Sequence, residues 1–293
     1  MKIVIGLPAF NEEKNIGRII SEIQDLGHSV IVCNDGSSDQ TSNIAKKMGA
    51  IVINHERNIG YGAAIKSLFK KASEINADIL VTFDADGQHN VSEIKNVIAP
   101  LTSNISDIVI GSRFLGAGEE KIPKYRKFGI KAITKISSLS QDLNIKDTQS
   151  GFRGYNKKAL DVIDPTENGM GISTEILMKA SKKDLKTVEI PIVINYEGDT
   201  STHNPARHGI SVVLSTMKFT ALEHPLKFYG IPGLVFLIVG LFFIVWTLHE
   251  FSIHRTIITN ITLIAVGSTI LGTIFLLTSI MLYSMVSLIR EQK

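Results

Sequence analysis

Two aspartates one residue apart follow an apolar run in Val81-Thr82-Phe83-Asp84-Ala85-Asp86-Gly87-Gln88-His89. Carboxylates leaving a strand end together can converge on a hard divalent cation, and Gln88 and His89 add oxygen and nitrogen ligands nearby. Mg2+ or Mn2+ bridging a diphosphate is the chemistry such a set serves. A surface Asp-x-Asp turn reads the same in isolation, so the rest of the chain has to decide. A second acidic loop, Asn34-Asp35-Gly36-Ser37-Ser38-Asp39, also follows an apolar run. Its Asp and Ser residues suit a helix N-cap, and Asp35 facing a crevice also suits a ribose hydroxyl or a base N–H. A third loop, Pro8-Ala9-Phe10-Asn11-Glu12-Glu13, supplies Phe10 to stack on a base and Glu12 to accept hydrogen bonds. Three acidic loops on one sheet edge imply a nucleotide-diphosphate site.

The elements that must position these loops are legible as periodicity. From Lys2 to about Ile110, short β-branched runs alternate with amphipathic patterns, which predicts an α/β fold of right-handed βαβ units and a largely parallel sheet. The expected strands are Ile3–Leu7, Ser29–Cys33, Ile51–Asn54, Ile79–Phe83 and Ile108–Ile110, with helices starting near Glu12, Asp39, Tyr61 and Val91. In open sheets of this kind the loops after strand C-termini line the ligand crevice. After Gly111 the pattern turns irregular. Ile122 to Leu139 carries Lys124, Arg126, Lys127, Lys131 and Lys135 among apolar residues, as a basic helix lying on anionic lipid would, or as an ordinary solvated helix face would.

Other chemistries are disfavoured. The net charge of +3 comes without a dense Lys/Arg tract, so nucleic acid is not an expected partner. Cys33 is the only cysteine, which removes an intramolecular disulfide and any Cys-rich zinc site. Asn58-Ile59-Gly60-Tyr61-Gly62 begins like a dinucleotide fingerprint, but Ile65 stands where its third glycine belongs, and no P-loop signature occurs.

The first apolar run is too short to span a bilayer and lacks the features of a signal peptide. Phe228 to Leu248 and Ile257 to Ile289 are different: both are uncharged and exceed the roughly 20 residues that cross the hydrocarbon core. Joined by the polar stretch His249 to Thr256, they predict a transmembrane hairpin at residues 228–248 and 257–289. Lys218, Lys227, Arg290 and Lys293 flank the pair while Arg255 alone sits in its loop, so both termini and the first domain are expected on the cytoplasmic side of a cell membrane. The expected organisation is a catalytic domain at 1–204, an interface segment at 205–227 and two spans within 228–289.

Taken together and in order, PAFNEE, NDGSSD, DADGQH, GSRF and DTQSGFRGY resemble the family 2 glycosyltransferases of GT-A fold, over roughly residues 1–200. The branch similar to dolichyl-phosphate mannose synthases fits best, and the Q-x-x-R-W motif usual in processive polysaccharide synthases is absent. The resemblance implies a GT-A-type, Rossmann-like mixed sheet ahead of the hairpin. It also implies inverting transfer of a hexose or N-acetylhexosamine from a nucleotide-sugar, GDP-mannose, UDP-GlcNAc or UDP-Glc, to dolichyl or polyprenyl phosphate. On that resemblance Pro8, Phe10, Glu12, Cys33 and Asp35 contact the nucleoside, Ala85 approaches the nucleotide through its backbone, and Asp84, Asp86 and Gln88 hold Mg2+ or Mn2+ with the diphosphate. Arg113, Arg126 and Arg207 bind phosphate. Asp147 and Glu175 are candidates for orienting sugar hydroxyls, or for capping and turn formation, and Arg153 for phosphate or a neighbouring side chain. The competing readings are a non-catalytic nucleotide-sugar-binding membrane subunit and a family 2 transferase for another membrane acceptor.

Overall fold

The computed structural model describes residues 1–115, 145–193, 221 and 225–291, with side chains described as far as 286. The chain divides into two compact units, Met1–Thr216 and Met217–Lys293. All of the basic stretch around 121–135 and most of the expected interface segment at 205–227 lie outside the described residues.

In the first unit the β-branched runs become strands β1 (Ile3–Ala9), β2 (Ser29–Asn34), β3 (Ile51–Asn54), β4 (Ile79–Thr82) and β5 (Ile108–Ser112). Two further strands, β6 (Arg153–Asn156) and β7 (Thr187–Pro191), form where the sequence pattern is irregular. β6 reads Arg-Gly-Tyr-Asn, so no apolar run announces it. The helices are α1 (Ile16–Asp25), α2 (Thr41–Lys47), α3 (Tyr61–Glu74), α4 (Ile94–Thr102), α5 (Lys157–Val162) and α6 (Ile172–Lys182), with a 3-10 turn at Val91–Glu93 leading into α4. α1 and α2 begin later than the expected starts at Glu12 and Asp39 because those residues are engaged in bonds between loops.

The sheet has the order β3-β2-β1-β4-β6-β5-β7. β3, β2, β1 and β4 pair in parallel. β6 runs antiparallel to both β4 and β5, while β7 is parallel to β5. The sheet is therefore mixed, and the expectation of a largely parallel one holds only for its first half. Alternate residues feed two cores: Ile5, Leu7, Val30, Val32 and Val81 face one side, Val4, Ile31, Cys33 and Leu80 the other. Burial on both faces is why these strands read as continuous apolar runs. α1 covers the first side with Ile16, Ile19, Ile20 and Ile23, all fully buried on one helical stripe.

In the second unit a π-helical turn, Leu226–Gly230, leads into α7 (Ile231–His254), and α8 (Thr259–Glu291) returns. The polar stretch at 249–256 is mostly helical rather than a loop. The chain reverses after Arg255, whose left-handed backbone (φ 57°) caps α7 by donating its N–H to the Phe251 carbonyl at 2.9 Å. The two helices approach through small residues: a Cβ on Gly272 would lie 2.8 Å from the Leu237 nitrogen, and one on Gly240 would lie 2.9 Å from the Thr269 nitrogen. Leu234, Ile238, Leu241, Phe242 and Val245 of α7 are exposed. Both helices are long and apolar enough to cross a membrane.

The Gly60-Tyr61-Gly62 run has a packing cause. A Cβ on Gly62 would press on the Glu167 carbonyl and come within 2.6 Å of the Gly169 carbonyl, so α3 begins against the backbone of the 166–169 loop. Gly62→Ala should therefore cost about 1–3 kcal/mol, measured as a lowered midpoint in urea unfolding; an unchanged midpoint would show that the loop moves aside freely.

Candidate active site

The C-terminal ends of β1, β2 and β4 lie side by side because these strands are parallel neighbours, paired as far as Ala9 with Asn34 and Gly6 with Thr82. The three acidic loops leave from that edge. The loops after β1 and β2 are stitched together: the Asn11 N–H donates to Ser37 Oγ at 2.9 Å, the Glu12 N–H to Thr41 Oγ1 at 2.8 Å and the Glu13 N–H to Asp39 Oδ2 at 3.1 Å. Asn15 ties in the loop after β4, its amide donating to Glu12 Oε2 and to the Asp86 carbonyl, each at 3.3 Å. Asp86 Oδ1 accepts from the Gln88 N–H at 2.9 Å, closing the turn around Gly87.

This gathering concentrates negative charge. Burial, then the carboxylates of Asp86, Asp39 and Asp84, push Glu12 from 4.5 up to about 7 against the opposing hydrogen bond from Asn15. Among the described residues no three His, Cys, Asp or Glu side chains are gathered closely enough to hold a metal ion by themselves. A cation here would take Asp84 and Asp86 with an amide oxygen such as that of Gln88, leaving positions for ligand oxygens.

Asp84 is held from several sides. The Tyr61 hydroxyl donates to its Oδ1 at 3.3 Å, and His89 Nε2 stands 3.8 Å from Oδ2. Beneath it lies Gly151, where a Cβ would come within 2.7 Å of a carboxylate oxygen. Burial and the Asp84 charge raise the Tyr61 phenol well above its ordinary value, so it remains a donor. Sequence reasoning missed Tyr61; its only signal was the glycine pair around it, weighed for a different ligand.

Asp35 is nearly buried, with Oδ1 accepting from His55 Nδ1 at 2.7 Å and the Ile59 N–H at 3.0 Å, and Oδ2 from the Gly60 N–H at 2.8 Å. Phe10 is half-buried just past β1, whereas Pro8, Cys33 and Ala85 are buried. Cys33 departs from its expected role. Its thiol has no exposed surface and turns into the core beside His55, and burial, with the Asp35 charge, pushes it up to about 12. Only its backbone is left to meet a nucleoside.

At three more positions the structure favours the internal alternative. Asp147 is fully buried and takes a two-pronged bond from Arg113, Nε at 2.7 Å and Nη2 at 2.6 Å. Burial alone would raise its carboxyl, but the Arg113 charge and hydrogen bonds hold it below the usual range. It aims Arg113 rather than a sugar. Glu175, 1 % exposed, accepts from the Thr166 and Glu167 N–H groups and pairs with Lys179 at 2.7 Å, which pins the 166–167 loop. Arg153 is also 1 % exposed and donates to the carbonyls of Ser150, Ser173 and Thr148, each at 2.8 Å. Both are internal braces, because every polar atom is directed at neighbouring backbone or side chains. Arg126 and Arg207 lie outside the described residues.

Glu12 gives the metal-free protein a pH dependence. Its folded value of about 7 exceeds the ordinary 4.5, so the folded state holds this proton more tightly. That contribution is complete below the ordinary value and is lost as pH rises through about 7. Glu12→Gln should raise the Tm of chelator-treated protein near about pH 8 and leave it unchanged near about pH 4. Thermal denaturation at the two pH values reads the difference, and an equal shift at both would remove ionisation as its cause.

Comparison with known proteins agrees with this architecture. The description of Glycosyl transferase family 2 matches residues 4–164. The UDP-N-acetylglucosamine--dolichyl-phosphate N-acetylglucosaminyltransferase of Methanococcus voltae is 35% identical over 215 residues, covering 66% of this chain and 86% of that one. The dolichol-phosphate mannosyltransferase of Pyrococcus furiosus is 33% identical over 202 residues, covering 65% of this chain and 56% of that one. Among solved structures, glucosyl-3-phosphoglycerate synthase from Mycobacterium tuberculosis shares the fold, with a TM-score of 0.58 at 20% identity over 74% of this chain and 79% of that one. With its mixed sheet and the acidic loops on one strand edge, the chain belongs to glycosyl transferase family 2 and is a glycosyltransferase.

Proposed function

We propose that this enzyme transfers a hexose or N-acetylhexosamine from a nucleotide-sugar to a dolichyl or other polyprenyl phosphate at the membrane, with inversion at the anomeric carbon. The observation that carries the reading is the presence, in one chain, of three acidic strand-end loops and two apolar helices of bilayer length. The names of the relatives from Methanococcus voltae and Pyrococcus furiosus, both acting on a dolichol-type phosphate, support the acceptor class. Those names differ in sugar at nearly equal identity, so the donor is chosen among UDP-GlcNAc, UDP-Glc and GDP-mannose by assay. Residues 1–204 are the catalytic part, 205–227 an interface segment and 228–289 the anchor, with both termini cytoplasmic.

A lipid phosphate is already ionised near neutral pH and attacks the anomeric carbon without a general base. What remains for the protein is positioning and charge neutralisation. Asp35 and Phe10 hold the nucleoside, and Arg113, aimed by Asp147, meets a phosphate. Asp84, Asp86 and Gln88 would hold Mg2+ or Mn2+, which would supply charge neutralisation for the diphosphate. The residues fit such a cation: Asp84 and Asp86 leave one turn beside Glu12, and after burial their charges are among the causes that raise it. Tethering keeps the enzyme at the interface where a polyprenyl phosphate lies and raises its effective concentration.

Label transfer from each of the three donors to dolichyl and undecaprenyl phosphate, with Mn2+, Mg2+ or chelator, tests the reading. One donor should give a metal-dependent, acid-labile sugar-phosphate lipid. Asp86→Ala should lower transfer by about 100-fold or more without lowering the Tm, because it relieves repulsion in the metal-free site. Label found on diacylglycerol or protein and never on polyprenyl phosphate would sink the acceptor assignment, and donor binding without turnover on any acceptor would favour a binding subunit.

A further inference from the structure

Behind Asp35 lies a group that the proposed chemistry does not use. His55 follows β3, and its N–H donates to the Asn34 carbonyl at 3.0 Å, extending the β2–β3 pairing by one residue. Its ring is nearly buried, with Nδ1 at 2.7 Å from Asp35 Oδ1 and Nε2 at 2.8 Å from Ser67 Oγ on α3. We propose that His55 is a positioning residue for the donor nucleotide, aiming Asp35 through a Ser67–His55–Asp35 hydrogen-bond chain. This rests on Asp35 as a nucleoside contact and extends that reading to the layer behind it.

A carboxylate only accepts, so Nδ1 carries a proton and donates to Asp35, while Nε2 and the Ser67 hydroxyl share the bond on the other side of the ring. The ring is thereby held at both nitrogens, one partner on the sheet and the other on a helix. Each carboxylate oxygen has about two acceptor positions. Oδ1 spends both, on His55 and on the Ile59 N–H, while Oδ2 spends one, on the Gly60 N–H. A single acceptor position remains on Oδ2, suited to a base ring N–H or a ribose hydroxyl. Removing the imidazole frees Oδ1 and lets the carboxylate turn, which moves that position. His55 takes no part in bond making, so the loss belongs to donor binding and not to turnover.

The test uses the full chain in detergent micelles with Mn2+, titrated with UDP and with GDP, followed by steady-state kinetics with the active donor. His55→Ala should weaken the nucleotide that wild type binds, and raise the donor KM, by about tenfold or more, while acceptor KM and kcat stay as in wild type. His55→Asn, whose amide nitrogen can stand near Nδ1, should recover most of that affinity, and Ser67→Ala should give a smaller loss in the same direction. Unchanged nucleotide affinity in His55→Ala and Ser67→Ala overturns the proposal. So does an equal loss in His55→Asn and His55→Ala with a lowered Tm and kcat, which would make the ring a packing group. If His55→Ala does not fold, the Ser67→Ala and His55→Asn affinities decide alone. Wild type that binds neither UDP nor GDP would instead remove the nucleotide-sugar reading on which the proposal stands.

Discussion

Antiparallel insertion of β6 between β4 and β5 decides where the segment from Asp147 to Tyr155 goes. Thr82 opposes Arg153 across one ladder and Ile110 opposes it across the other. Thr82 Oγ1 also donates to the Gly151 carbonyl at 2.7 Å, which fixes the chain just before the strand. Gly151 then lies directly under the Asp84 carboxylate, where any side chain would collide with it. A one-residue slip would reverse every side chain of β6. The two glycines of the segment answer to different neighbours: Gly151 to Asp84, and Gly154 to Val97 and Leu101 of α4, whose side chains fill the place of a Cβ.

Charge is distributed around that strand in two layers. The outer layer is acidic, and burial with the charges of Asp86, Asp39 and Asp84 raises Glu12. The inner layer is paired. Arg113 and Asp147 form a two-pronged pair, and the Arg153 guanidinium is surrounded by three carbonyls. Buried charges persist only when such partners offset lost hydration. Placing the well-bonded groups inside lets the outer carboxylates remain exposed to a ligand without the loops giving way. The stitches among residues 11–15, 37–41 and 86 serve the same end.

The hairpin solves another problem. Its outward residues are apolar and exposed, while glycines on both helices permit backbone contact along the seam. Apolar side chains gain little by leaving lipid for one another, so close packing of small residues carries such an interface. Uniform apolarity shows the spans readily but says nothing about which face meets which.

Local pattern was enough for the first half of the sheet, the three acidic loops, the two long apolar helices and the family. Parallel strands buried on both faces must be apolar throughout, and spans must be apolar for bilayer length, so both leave runs in the sequence. The first apolar helix runs on to His254, beyond the uncharged run, because polar residues at the end of an apolar helix can stay helical. β6 was invisible because its four residues, Arg153 to Asn156, are chosen for what they touch across the sheet. For the same reason the roles of Asp147, Arg153, Glu175, Tyr61 and His55 belong to the tertiary structure. Each is a polar side chain whose partner lies on another element, and spacing along the chain carries no record of which element folds against it.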